Sequence, residues 1–333
     1  MRTRRKDGGA FKKAPDKENM ANPPKNVFSG IAGHKIQLEI LSHILVRKNF
    51  AHAYLFAGDP HLGKKAIAKR FIAEILDLED KEKITVHPDV KIVEGEKLVT
   101  IDQMRELKHH LALTPYSAPY KIAFLPYAEK MNRPAANSFL KLLEEPAGQT
   151  ILILIAPSIK ILLPTIVSRC QIFKFYRVAR VEIESFLKSA GASPEQARVL
   201  AYLSEGRPGL AWTYFQNPEE VEKKINYVRN LIQLKSDSLA RRFIFAEKVS
   251  RDGKVLEQML REWLAFYHDL ILAKNNCMDL VSNPDFTPEI AKASQAYASR
   301  EVLSLAQTTQ TILKNLKFNI SKRLALETLL INI

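Results

Sequence analysis

Gly58, Gly63 and Lys64 stand in the stretch LFAGDPHLGKKAIAKRF (55–71) at the spacing of a phosphate-binding loop, with an apolar run ahead and helix formers behind. In a working loop of this kind, backbone N–H groups cradle the phosphates, the lysine reaches the β- and γ-phosphates, and a following Ser or Thr hydroxyl binds Mg²⁺. Lys65 occupies the hydroxyl position and has no oxygen to offer a metal. The choice is between ATP hydrolysis and a fold that keeps the outline of the loop without its chemistry. The two cysteines, Cys170 and Cys277, are too few to form a four-ligand zinc site.

Composition narrows the setting. A chain of 333 residues has room for two or three domains of ~100–150 residues. With 46% hydrophobic and 26% charged residues it can build full cores, which excludes overall disorder. The apolar runs ILILIAP (151–157) and ILLPTIV (161–167) are too short to span a bilayer, and no apolar stretch follows the basic N-terminus as in a secretory signal. A reducing, cytoplasmic location is expected. The net charge, 50 − 36 = +14, favours a polyanion nearby. Residues 1–26 carry eight Lys/Arg against Asp7, Asp16 and Glu18 and read as a basic disordered tail, either solubilising or in transient contact with nucleic acid.

The loop needs a strand before it and a helix behind it, and the pattern supplies both in HAYLFAG (52–58) and KKAIAKRFIAEIL (64–76). Ahead of them, KIQLEILSHILVRK (35–48) places Ile36, Ile40, Leu41, Ile44 and Leu45 on one helical face. Further strands are predicted in VHPDVKIVEG (86–95), KIAFL (121–125), TILILIA (150–156) and CQIFKF (170–175). Between them lie two helices, TIDQMRELKHHLAL (100–113) with Thr100 or Asp102 as N-cap, and ANSFLKLLEEP (136–146) stopped by Pro146. Strands alternating with helices predict an α/β fold with a mostly parallel sheet covered on both sides. From Val178 the strand signals stop, and short helices give way near Glu219 to long amphipathic ones. Trp212 and Trp263 sit among aliphatics at helical spacing and read as core; NPDFTP (283–288) reads as a loop.

Taken in order, HAYLFAGDPHLGKK, HPDV, the IDQMREL helix, KIAFLPYAEKMNRPAANSFLKLLEEP and LLPTIVSRCQIFKF resemble the AAA+ module of bacterial clamp-loader subunits, the delta-prime branch of that family above all. SEGRPGLA (204–211) and ISKRLALETLL (320–330) match its later parts. The resemblance implies a RecA-like AAA+ domain over 27–177, a small helical lid over 178–217 and an all-α collar for oligomerisation over 218–333.

Set against that family, three parts of an ATP site are missing. Lys65 replaces the metal-binding hydroxyl. Pro126 and Tyr127 follow KIAFL where the family's Walker B strand ends in one acid for Mg²⁺ and another to activate water, and Glu129 reads as a helix start. Leu210 takes the place of the lid's sensor arginine, with Arg207 nearby but off register. Phosphoryl transfer depends on metal and positioned positive charge. The resemblance therefore implies a structural relic at Gly58, Gly63 and Lys64, no intrinsic ATPase and no ATP cofactor. Lys64 and Lys65 are expected to be solvated or partner-facing.

One element of the family's chemistry is retained. Ser168-Arg169-Cys170 stands where the family presents an arginine finger to the nucleotide of the adjacent subunit; the alternative is an arginine that caps the last strand. Lys141 and Glu144 are further candidates for that interface, Ser168 for a turn or cap, and Cys170 for a small core residue. The four-cysteine zinc module of many relatives is absent from EILDLEDKEKITV (74–86), so no metal is expected. The partners implied are the tau/gamma ATPase and delta subunits of the DNA polymerase III loader and, through the complex, the sliding clamp and primer-template DNA. Two other readings compete: an active AAA+ ATPase of another DNA pathway, such as branch migration or initiation, and a plain nucleic-acid-binding protein.

Overall fold

The structure, a computed structural model, describes residues 27–78, 80–94, 98–146, 148–281, 286–316, 318 and 320–333. The basic tail (1–26) lies outside the described residues. Five parallel strands, β1 (Ala53–Ala57), β2 (Val90–Ile92), β3 (Lys121–Leu125), β4 (Thr150–Ala156) and β5 (Gln171–Lys174), form one sheet in the order β2-β3-β4-β1-β5. This is the strand order expected of a RecA-like fold. Every residue of β1, β3 and β4 is buried, as continuous apolar strands between two helical layers must be.

Alternate side chains divide those strands between two cores. Tyr54, Phe56, Phe124, Ile153 and Ile155 join α1 (Lys35–Arg47) and α2 (Lys64–Ile75) on one face. Leu55, Ala123, Leu125, Leu152 and Leu154 join α3 (Ile101–Ala112) and α4 (Arg133–Glu144) on the other. Helix α2 starts at Gly63 with no side-chain cap. Burial of Ile67, Phe71 and Ile72 at ~1.5–3 kcal/mol each outweighs that deficit.

Several helix details differ from the sequence reading. The predicted face of α1 is only half covered: Leu41 is buried and Ile44 and Leu45 are partly buried, whereas Ile36 and Ile40 are exposed. The buried face is centred on Leu38, Leu41 and Leu45, about 100° or more around the helix from Ile36. Thr100 is the N-cap of α3 and forms a capping box with Gln103. Helix α4 begins earlier than expected, because the Asn132 side chain accepts from Ala135 N at 2.8 Å and Pro134 suits the first turn.

After a one-turn helix α5 (Pro164–Val167) and β5, the helices α6 (Arg180–Ser189), α7 (Pro194–Leu203) and α8 (Pro208–Gln216) share a small core around Ile183, Leu187, Leu200 and Ala211. The helices α9 (Pro218–Ser236), α10 (Leu239–Ser250), α11 (Gly253–Lys274), α12 (Thr287–Ala296), α13 (Ser299–Asn315) and α14 (Lys322–Ile331) build a larger one. Trp263 is fully buried there and donates to Tyr227 O at 2.9 Å. Trp212 is a correction: it is 40% exposed and lies against Phe186 and Phe215 on the surface of α8. The segment NPDFTP is described only from Phe286, and Thr287 already opens α12. No described helix is long and apolar enough to cross a membrane.

Candidate functional site

The loop from Gly58 to Lys64 joins the carboxyl end of β1 to α2. Gly58 has φ +154°, and a Cβ there would lie 2.4 Å from Phe175 O; Gly63 has φ +87°. Both positions need glycine for backbone reasons alone. Lys64 is not solvated, as the sequence suggested. It is 6% exposed, and its ammonium donates to Gly58 O at 2.6 Å and Asp59 O at 2.5 Å. Burial pushes its pKa down to about 8, against the opposing pull of Asp59 and Glu129. The cation that would meet phosphates is folded back onto its own loop.

Two of the replaced positions around it contact each other. Lys65, in the hydroxyl position, is exposed and sits over the Tyr127 ring, 5.7 Å from its centroid. Pro126 is buried, and Ala128–Lys130 form a single 3₁₀ turn that carries Glu129. Leu210 packs on the α6–α8 core. These residues place an ammonium and a phenol ring where a metal site would need oxygen ligands, and they do not fit Mg²⁺.

Helix α8 closes directly on this loop. Gly209 N–H donates to His61 O at 2.8 Å, and a Cβ on Gly209 would stand only 2.8 Å from the same oxygen. Burial, with Arg207 and Lys64 nearby, lowers the His61 pKa. Arg207 bonds Glu205 at 3.0 Å. A line of alternating charges runs onward: Asp59 to Arg177 at 3.6 Å, Arg177 to Glu205 at 3.7 Å, Glu205 to Lys224 at 4.0 Å and Lys224 to Glu262 at 3.1 Å. It links the loop, the α7–α8 turn and the C-terminal bundle.

Arg169 lies elsewhere. It occupies the turn between α5 and β5, just ahead of the last strand, with its N–H donating to Ile166 O at 3.2 Å. Gln171 is level with Tyr54 in the β1–β5 register, so Arg169 stands at the amino end of the sheet and Gly58 at the carboxyl end. Six residue steps at ~3.3 Å separate them by about 20 Å, more than an arginine can reach. The Arg169 guanidinium bonds Glu144 at 2.9 Å and Thr165 O at 3.1 Å; the two charged side chains are 37% and 50% exposed. Ser168 caps α5, its hydroxyl donating to Thr165 O at 3.1 Å. Cys170 is half-buried against the α3–α4 core, and burial pushes its thiol up to about 12. Lys141 is exposed on α4, one turn before Glu144.

The sequence reading missed Asp89. This buried carboxylate in HPDV accepts from Tyr116, Ser117 and Ala118 N–H groups at 2.7, 2.8 and 3.0 Å and pairs with buried Lys121 at 2.9 Å. Burial alone would raise its pKa, but these donors hold it well below the ordinary carboxylate range. An acid after HP before a strand was the only signal available. Asp89 braces the 116–118 turn and lies near the start of β2, away from the loop.

A family model described as DNA polymerase III, delta subunit, matches residues 33–179. Over 150 residues the chain is 36% identical to the DNA polymerase III subunit delta' of Pseudomonas aeruginosa, a match covering 40% of this chain and 46% of that one. Residues 33–179 are thus similar to DNA polymerase III delta-prime proteins. A second delta-prime protein, from Bacillus subtilis, is 31% identical over 180 residues, covering 50% of this chain and 55% of its own. The chain thus spans about half the length of these two relatives. It also aligns with the DNA polymerase III subunit gamma of Buchnera aphidicola at 24% identity over 350 residues, 92% of this chain and 95% of the other. The matched segment carries the loop and Arg169 together.

Proposed function

We propose that the chain is a non-hydrolysing subunit of a DNA polymerase III clamp loader, completing a ring of ATPase subunits and offering Arg169 to the nucleotide of its neighbour. The observation that carries this reading is the separation of the two sites. Arg169 stands at the opposite end of the sheet from the loop and cannot serve it, so a finger there needs a nucleotide from another chain. A guanidinium suits the charge spread over γ-phosphoryl oxygens. The back-folded Lys64 and the Lys65–Tyr127 contact support a loop that neither binds metal nor turns over ATP.

In this reading α6–α8 form a lid fixed over the loop and α9–α14 a collar that joins tau/gamma-type and delta-type subunits. Ile244 on α10 and Leu324 on α14, two helices that pack together, expose apolar side chains suited to such contacts. The clamp and primer-template DNA are met through the complex, in the cytoplasm, without zinc or another cofactor. The test is reconstitution with ATPase and delta subunits, followed by size measurement and ATPase assays of the chain alone and of the complex. Incorporation into the ring with no turnover by the isolated chain is expected. Turnover that Lys64→Ala abolishes, or failure to enter the ring, overturns the reading.

A further inference from the structure

Arg169 is paired with Glu144. Glu144 is the last residue of α4, followed by Glu145. Carboxylates at a helix C-terminus face the negative end of the dipole and are disfavoured there unless a cation answers them. Arg169 is that cation, although 25 residues separate the two in sequence. Its Nη2 donates to Glu144 Oε1 at 2.9 Å, and its Nη1 to Thr165 O at 3.1 Å. Both terminal nitrogens of the guanidinium are thus engaged within the chain.

We propose that Glu144 is a positioning residue for Arg169, a weak latch that holds the guanidinium at the α5–β5 turn and yields it to the terminal phosphate oxygens of a nucleotide on the adjoining subunit. This rests on Arg169 acting in trans. The relative strengths fit a latch. The pair is half-exposed, and such pairs shift an equilibrium by no more than about fivefold. A finger on a transferring phosphoryl group changes the rate by ~10³–10⁵. The latch therefore orients the side chain but gives way whenever a triphosphate is correctly seated.

The experiment compares loaders rebuilt with the wild-type chain, Glu144→Gln, Arg169→Ala and the double variant, with ring assembly checked for each. The readout is ATP turnover without clamp or DNA. Glu144→Gln should raise this unstimulated rate by up to about fivefold at the served site, and the rise should vanish in the double variant. A purely structural Glu144 predicts no Arg169-dependent rise. Glu144→Ala gives the same comparison without the amide's hydrogen bond. If Arg169→Ala lowers turnover while both Glu144 variants leave the unstimulated rate unchanged or reduced, the latch is wrong and the finger stands. If Arg169→Ala changes no rate in an assembled ring, the finger reading fails and the latch with it.

Discussion

The loop at the carboxyl end of β1 carries several cations and the turn before β5 carries one, Arg169, and the two regions treat them in opposite ways. Around the loop Lys64 is buried on two loop carbonyls and Arg207 pairs with Glu205, while exposed Lys65 lies over the Tyr127 ring. At the turn, Arg169 remains more than a third exposed and is held by one surface ion pair and a hydrogen bond to Thr165 O. A site turned inward becomes part of the packing. A site held only by weak exposed contacts stays available to an outside ligand.

That contrast is sharpest in Arg169→Ala against Lys64→Ala, assayed in a complete loader. Loss of Arg169 should cost ~10³–10⁵ at the one site it serves, so total ATPase falls by a fraction and clamp loading falls further, with assembly intact. Lys64→Ala should leave both rates unchanged. Normal loading by an assembled Arg169→Ala ring would break the comparison.

The next effect is on folding. Gly58→Ala should destabilise the chain by about 2–3 kcal/mol in denaturant unfolding, because the new Cβ meets Phe175 O in a backbone region that favours glycine. Such a loss with unchanged loader rates would mean that the loop is kept for packing. A near-neutral Gly58→Ala would mean that it is not.

Lys64 supplies a pH test of similar or smaller size. Its folded-state pKa, about 8, lies below the ordinary lysine value. The unfolded chain therefore binds the extra proton between about pH 8 and 10.4, and stability must rise with pH across that window. Relative to Lys64→Met, the wild type should gain on the order of 2 kcal/mol there, read from unfolding curves at both ends. A parallel pair of pH profiles would put the ammonium in water. The smallest effect concerns Lys65 and Tyr127. An exposed cation–π contact is worth ~0.5–1 kcal/mol, so Lys65→Ala should lower stability by less than about 1 kcal/mol and restore no ATPase.

The sheet was legible because β-branched and aromatic strands bounded by turn residues leave little choice, and β3 and β4 fall on their predicted residues. The residue types at Lys65, Pro126, Tyr127 and Leu210 were also legible, since the lack of a hydroxyl or an acid is a fact of the sequence. What those residues do instead was not. Nothing in the sequence shows Lys64 turning back to Gly58 O, or Glu144 meeting Arg169, because both depend on how the chain folds over itself. Helix α12 escaped notice because it follows turn-forming residues and buries only Ile290 fully. The α1 stripe and Trp212 were misjudged for a shared reason: apolar spacing marks a face that can be buried, and the number of neighbours decides how much of it is.

The line of charges from Asp59 to Glu262 has a consequence for how this sequence can change over generations. Glu205 touches cations on both sides, and Lys224 is 2% exposed with acids on both sides. A lone substitution of Lys224 leaves Glu262 largely buried without the cation it pairs with, whereas a matched exchange of two members keeps the alternation. Drift along this line should therefore proceed in compensated steps, with second changes tolerated in an order that the first one sets.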